Sequence, residues 1–184
     1  MKTTGEHITT YTGRWFYPLS PDPEAMYIED IAHALSLITR GNGHVKTFFS
    51  VGQHCINCAK EAELRGFSDR VILACLLHDA GECYMSDVPR PFKKELPRYI
   101  ELEDALLTVL YTKFLGSPLT EEEAVLVKSI DDDMLWYDMK ELLGETLDRP
   151  MPSIRLTPDY TFRPFQEVEQ EYLFIYGKMM NRLM

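Results

Sequence analysis

Apolar residues recur at helical spacing over most of this chain, and proline- or glycine-rich breaks divide them into segments. The start is different. Residues 8–20 combine Thr9, Thr10, Tyr11 and Thr12 with the aromatic run Trp15-Phe16-Tyr17, a β-branched and aromatic composition that predicts a short strand or hairpin. Pro21-Asp22-Pro23 makes a turn and opens a helix over residues 24–39, which Gly41-Asn42-Gly43 ends. A second helix covers residues 51–65 and stops at Gly66. Ser68 caps a third, with Asp69 at its positive end, and this helix carries the apolar run 71–77 followed by His78-Asp79. Residues 87–97 read as a Pro-rich loop.

The fourth helix, residues 99–115, shows Leu102, Leu106, Val109 and Leu110 at helical spacing and breaks at Gly116-Ser117-Pro118. Thr120 and Glu123 form a capping-box signature for a fifth, which runs to about Leu143. Residues 147–164, with Pro150, Pro152, Pro158 and Pro164, read as a loop or partly extended excursion before a last helix over residues 165–181. The expected fold is mainly α, one domain over residues 1–184: an extended arm at 1–23, a helical core at 24–143, and a loop with a C-terminal helix at 144–184.

Composition agrees with a globular chain of one core, with 184 residues, 45% apolar and 26% charged. A formal net charge of −10 argues against a nucleic-acid polymer as partner, because phosphate-backbone binding draws on clustered Lys and Arg. A small phosphorylated substrate remains compatible, since a local cationic pocket and a metal can offset the global field. No apolar run approaches the length of a membrane span and the first residues lack an apolar signal core, so a cytoplasmic location is expected. Cys55, Cys58, Cys75 and Cys83 fall in predicted helices and read as reduced, small apolar residues. Cys55-Ile56-Asn57-Cys58 lacks a second pair at zinc-finger spacing, so a structural role is expected there too.

The chemistry concentrates in His78-Asp79-Ala80-Gly81-Glu82. On a continuous helix, His78 and Glu82 share a face and Asp79 is turned about 100° away. An imidazole beside carboxylates suits Mn, Co, Fe, Ni, Zn or Mg without thiolate. His54, near the start of the second helix, can offer another ligand, and the triplet Asp131-Asp132-Asp133 in the fifth a further one.

These residues resemble the H…HD…D ligand pattern of the HD-domain metal-dependent phosphohydrolases, helical-bundle enzymes. The resemblance covers residues 27–140 and places His54, His78, Asp79 and Asp131 as ligands of one divalent ion, with Asp131 preferred to Asp132. The run Asp87-Val88-Pro89-Arg90-Pro91-Phe92-Lys93 after Glu82 is similar to a block of the bacterial 5'-deoxynucleotidases of that superfamily. It implies Glu82 with Asp79 as the catalytic carboxylates, and Asp87 and Lys93 at the substrate. Arg40 matches, within one position, the arginine ahead of the first metal histidine in those enzymes; there a tryptophan follows, here Gly41. With His44 it would meet phosphate.

The expected activity is hydrolysis of a (deoxy)nucleoside phosphate or similar ester. A triphosphate or alarmone hydrolase, or a non-catalytic nucleotide- or metal-binding regulator, are the alternatives. A homodimer is implied by the resemblance as a possible assembly. His33, Trp15, Trp136, Phe174, Ile175, Met179 and Met180 read as packing or surface residues, the last four with dimer contact as the alternative.

Overall fold

The structure is a computed structural model that describes residues 6–184, so residues 1–5 of the expected arm lie outside the described residues. The arm is a small antiparallel hairpin, β1 (Ile8–Thr9) and β2 (Trp15–Phe16), pairing Ile8 with Phe16 and Thr9 with Trp15. Phe16 points inward and stacks on Tyr84, with ring centroids 3.9 Å apart, while Trp15 stays exposed. Asp30 ties the hairpin to the helices by accepting the Thr12 amide at 2.7 Å and its hydroxyl at 3.0 Å.

The helix expected over residues 24–39 divides. Pro23–Ala25 forms a single 3₁₀ turn, Met26 and Tyr27 are extended, and α1 is Ile28–Leu37. The break lets Met26 reach the core, which the continuing helix would not, and burial overrides local propensity. Beyond α1 the chain extends through Ile38, bridges Thr39 to Ser50, and between them makes the 3₁₀ turn Arg40–Gly43, where Gly41 and Asn42 are left-handed.

Helix α2 (Val51–Arg65) is the central element, buried along most of its length. Ser50 and Gln53 close a reciprocal capping box at its start, and Gly66 ends it in the left-handed conformation. Gly52 lies so close to its neighbours that a Cβ there would meet the backbone C and O of Leu35 and the Val168 side chain at 3.2 Å each. Helix α3 (Asp69–Leu77), capped by Ser68, is apolar and buried from Val71 to Leu77. It stops immediately before His78-Asp79 instead of carrying them. A short α4 (Glu82–Met85) follows, and the Pro-rich loop contains one helical turn, α5 (Arg90–Lys93), which the prolines start instead of preventing.

Helix α6 (Pro97–Leu115) begins with Pro97 at its first position. Helix α7 (Glu121–Asp138), with Thr120 and Glu123 forming the expected capping box, winds on as a π turn through Met139–Leu143. Residues 144–164 are irregular but anchored. Buried Glu61 accepts the amides of Arg155 and Leu156 at 2.7–3.0 Å, and Tyr137 donates to the Pro152 carbonyl at 2.8 Å. Helix α8 (Phe165–Leu183) packs on α1, α2 and α3, burying Val168, Tyr172, Ile175 and Met179 and leaving Phe174 exposed. His33 bonds Glu169 at 3.0 Å and stacks on Tyr11, a structural role as expected. Among the described residues, no helix is long and apolar enough to cross a membrane.

Candidate metal centre

Three elements bring their polar residues together at one point: His54 from α2, His78 and Asp79 from the turn after α3, and Asp131 from α7. His54 Nε2 is 3.3 Å from Asp131 Oδ1, and His78 Nε2 is 3.4 Å from Asp79 Oδ2 and 3.7 Å from Asp131 Oδ1. Of the acidic triplet, Asp131 faces the histidines. Asp132 turns to Lys128 and Arg90, and Asp133 pairs with Arg65 at 2.8 Å.

The far nitrogens define the tautomers. His54 Nδ1 is 2.7 Å from Asp138 Oδ2, and His78 Nδ1 is 2.8 Å from the Cys75 carbonyl. Each Nδ1 therefore donates outward, so each Nε2 is the nitrogen that faces the carboxylates, where either a second proton or a bound cation must stand. Lone pair facing carboxylate oxygen is repulsive unless a cation stands between them. His78 Nε2, buried and without a hydrogen-bond partner, is the orphan this leaves. The donor set of two imidazoles and two carboxylates fits one divalent ion.

The electrostatics follow the same logic. Burial opposes charge on either imidazole, yet Cys58, Asp138 and Asp131 around His54, and Asp79 and Asp131 around His78, hold both well above the ordinary histidine range. Asp131, although buried, is held well below the usual carboxylate range by the two histidines. The enclosure thus favours positive charge at its centre, whether brought by protons or by a metal ion.

His78 also explains why α3 ends where it does. Its ring takes the Cys75 carbonyl that the Asp79 amide would otherwise occupy, and the chain tightens: the Ala80 amide bonds Leu77 and the Glu82 amide bonds Asp79. In this 3₁₀-like winding residues three apart align, so Asp79 and Glu82 share a side, in place of the His78–Glu82 face expected for a continuous helix. Glu82 is buried with Oε2 unpartnered; burial first, then Asp79 and Asp87, push its acid well above the usual range. Burial likewise raises Asp87. Ser86, at φ 72°, turns the chain ahead of Asp87, and the Tyr99 hydroxyl holds that strained turn through the Ser86 carbonyl at 2.9 Å.

Arg40 reaches the cluster from the turn before α2, 3.5 Å from Asp79 Oδ2 and 3.6 Å from Asp138 Oδ2. Its burial works against charge, but Asp138 and Asp79 more than restore it. His44 is exposed at the end of that turn, outside the buried cluster. Lys93 pairs with Glu103 and lies over the Tyr99 ring, so the cation of the Pro-rich block nearest the cluster is Arg90, 3.7 Å from Asp131 Oδ2.

Two further residues escape the reading from sequence. Cys58 Sγ is 3.5 Å from His54 Nε2, and His54, Cys58 and His78 form one potential ligand group while Cys55, His78 and Asp79 form another. The spacing His54-x3-Cys58 is the signal, since residues four apart on a helix share a face. Burial pushes the Cys55, Cys75 and Cys83 thiols up, which keeps them protonated. The second is Asp138, which has no site role in the reading from sequence beyond its spacing from Asp131; it orients His54 and accepts the Tyr160 hydroxyl at 3.0 Å. Its position seven residues after Asp131, two turns along the same face, is the signal there.

No protein-family model matches the chain. It is similar to the uncharacterized protein YfdR of Escherichia coli, 27% identical over 171 residues that cover 87% of this chain and 92% of that one. It is also similar to an uncharacterized protein of Rhodobacter capsulatus, 36% identical over 109 residues. The matched part is 56% of this chain and spans about half of that relative, 55% of its length.

Proposed function

We propose that this protein is a divalent-metal-dependent phosphohydrolase of the HD-domain type, acting on a nucleotide or similar small phosphate ester. One observation carries the reading: two imidazoles, each fixed by a hydrogen bond at Nδ1, turn their Nε2 atoms to Asp79 and Asp131 in a buried site, and that of His78 has no hydrogen-bond partner. His54, His78, Asp79 and Asp131 would hold the ion. When bound, it supplies Lewis acidity toward a phosphoryl oxygen and makes water a stronger acid.

The remaining steps belong to side chains. Glu82, buried beside Asp79 with a free carboxylate oxygen, accepts the proton as a water oxygen bonds to phosphorus and gives it up to the leaving oxygen as the P–O bond breaks and the alcohol departs. Arg40, charged and flanked by Asp79, offers paired N–H donors to the phosphate, and Arg90 adds a second cation on the open side of Asp131. Asp87, half-buried shortly after Glu82, would accept from a sugar hydroxyl of such a substrate.

The test is turnover on a panel of nucleoside mono- and triphosphates by protein stripped with chelator and reloaded with Mn, Co, Fe, Ni, Zn or Mg. Release of phosphate, pyrophosphate or triphosphate distinguishes the substrate class. Absence of turnover with every ion, or turnover that chelation leaves untouched, overturns the proposal; nucleotide binding without turnover would favour a regulator.

A further inference from the structure

About a quarter turn around α2 from His54, the helix presents Gln53, Asn57 and Lys60 to the segment 156–163 and to Glu171 of α8. Between them is a cleft of about 270 Å³, lined also by Leu156, Thr157, Asp159 and Arg163. It uses none of the residues assigned to the metal or to catalysis.

Two amide donors in its wall have no partner. Gln53 is 2% exposed and Asn57 9% exposed, and among the described residues neither Gln53 Nε2 nor Asn57 Nδ2 makes a hydrogen bond. The orientation of Gln53 is not free to reverse. Its Oε1 accepts the Ser50 amide at 3.1 Å to complete the capping box, so the NH₂ group, itself buried, is the end left without a partner. Buried donors of this kind are normally satisfied, and their ligand must supply acceptors.

Lys60 and Arg163 both pair with Glu171, at 2.5 and 2.6 Å, so two cations share one carboxylate, and with Asp159 the lining carries two charges of each sign. Asp159, exposed at the rim, engages the Thr161 amide at 2.9 Å. The volume falls just below the ~300 Å³ at which pockets for drug-sized ligands begin, so the occupant is small.

We propose that this cleft binds a small oxyanion, a metabolite bearing a carboxylate or phosphate group, at a site separate from the metal centre. Its oxygens accept from Gln53 Nε2 and Asn57 Nδ2 while Lys60 and Arg163 balance its charge. The segment that closes the cleft includes Tyr160, whose hydroxyl bonds Asp138 behind His54, so the cleft adjoins the outer layer of the metal centre.

The test is calorimetric titration of the full, metal-loaded chain with inorganic phosphate and, separately, with succinate. Saturable binding of one or both is expected, the stronger naming the head group. Gln53→Glu keeps the oxygen that accepts from Ser50 but replaces the donor with a like charge, and should weaken that binding at least about tenfold with metal content unchanged. Should it fold poorly, Asn57→Asp makes the same change one turn along. A flat titration with both anions would mean that water satisfies the two amides, and would overturn the proposal. Binding that survives Gln53→Glu or Asn57→Asp but disappears in Asp131→Ala would belong to the metal centre and overturn it equally.

Discussion

His54 Nδ1 stands 2.7 Å from a carboxylate oxygen of Asp138, so the imidazole that faces Asp131 is oriented by a residue two turns further along the same helix. A carboxylate behind a ligating histidine fixes the ring and raises its basicity, and removing such a partner typically costs about 10- to 100-fold in metal affinity. Asp138→Ala should weaken metal binding on that scale, read by competition with a chelator of known affinity. Tyr160→Phe, which removes only one hydrogen bond to Asp138, should act in the same direction and less. Unchanged affinity in Asp138→Ala would remove it from the centre.

His78→Ala and Asp131→Ala should each lose bound metal, measured as ion per chain, while Asp132→Ala should keep it, because Asp132 is turned toward Lys128 and Arg90. Loss in Asp132→Ala with retention in Asp131→Ala would reverse the assignment within the triplet.

Glu82→Gln should keep fold and metal and lower turnover by about 10²- to 10⁴-fold, since an amide cannot take a proton from water. Near-normal turnover with the metal bound would make Glu82 a bystander.

Arg40→Ala should lower kcat/KM for a phosphorylated substrate, and Arg40→Lys should recover part of the loss by restoring charge without the planar fork. Both variants also leave Asp79 and Asp138 short of a partner, so melting temperature is measured beside kinetics. Unaltered kinetics in Arg40→Ala would take it out of the substrate site. With Gly41 in place of the tryptophan of the deoxynucleotidases, matched ribo- and deoxyribonucleotides should be hydrolysed at more similar rates than in those enzymes; strong preference for deoxynucleoside monophosphates would contradict this.

Helix α7, which delivers Asp131, should show a small acid-sensitive contribution at its start. Burial opposes ionisation of Glu123, but the Thr120 amide and Arg70 hold its acid below the usual range. A folded-state value below the unfolded one gives stability that is fully present above the unfolded value, about 4.5, and is lost as pH falls through the lower folded value. Glu123→Gln should therefore be less stable than the parent at pH 7, by about 1 kcal/mol, the scale of a surface ion pair, and the gap should narrow as pH falls below about 4.5 and close once it is below the folded value. A gap independent of pH would assign the effect to the cap's shape alone.

Local rules made α2 and α7 legible in the sequence, because Ser50, Gly66, Thr120 and Glu123 are terminators whose effect needs no distant partner. The convergence of His54, His78, Asp79 and Asp131 was legible as ligand chemistry placed on separate helices. What failed depended on tertiary contact. The break after Ala25 follows from the burial of Met26, and the end of α3 from a side-chain bond between His78 and the Cys75 carbonyl, which periodicity does not encode. The division of labour between Lys93 and Arg90 was hidden for the same reason: Glu103, which takes Lys93, lies on a different helix. Cys58 was read by its usual apolar habit, although its spacing from His54 carried the information.

The absent side chain at Gly52 sets how closely α2 can sit against the backbone of Leu35, and His54 is only two residues further on. Two of the three atoms that a Cβ there would meet belong to the Leu35 backbone, which no change of rotamer moves, so the helix itself would have to shift. Position 52 therefore acts as a spacer of one methyl's thickness: filling it would loosen α2 from α1 and displace His54 relative to Asp131 together, so the spacing of the candidate site is set on the side of the helix that faces away from it.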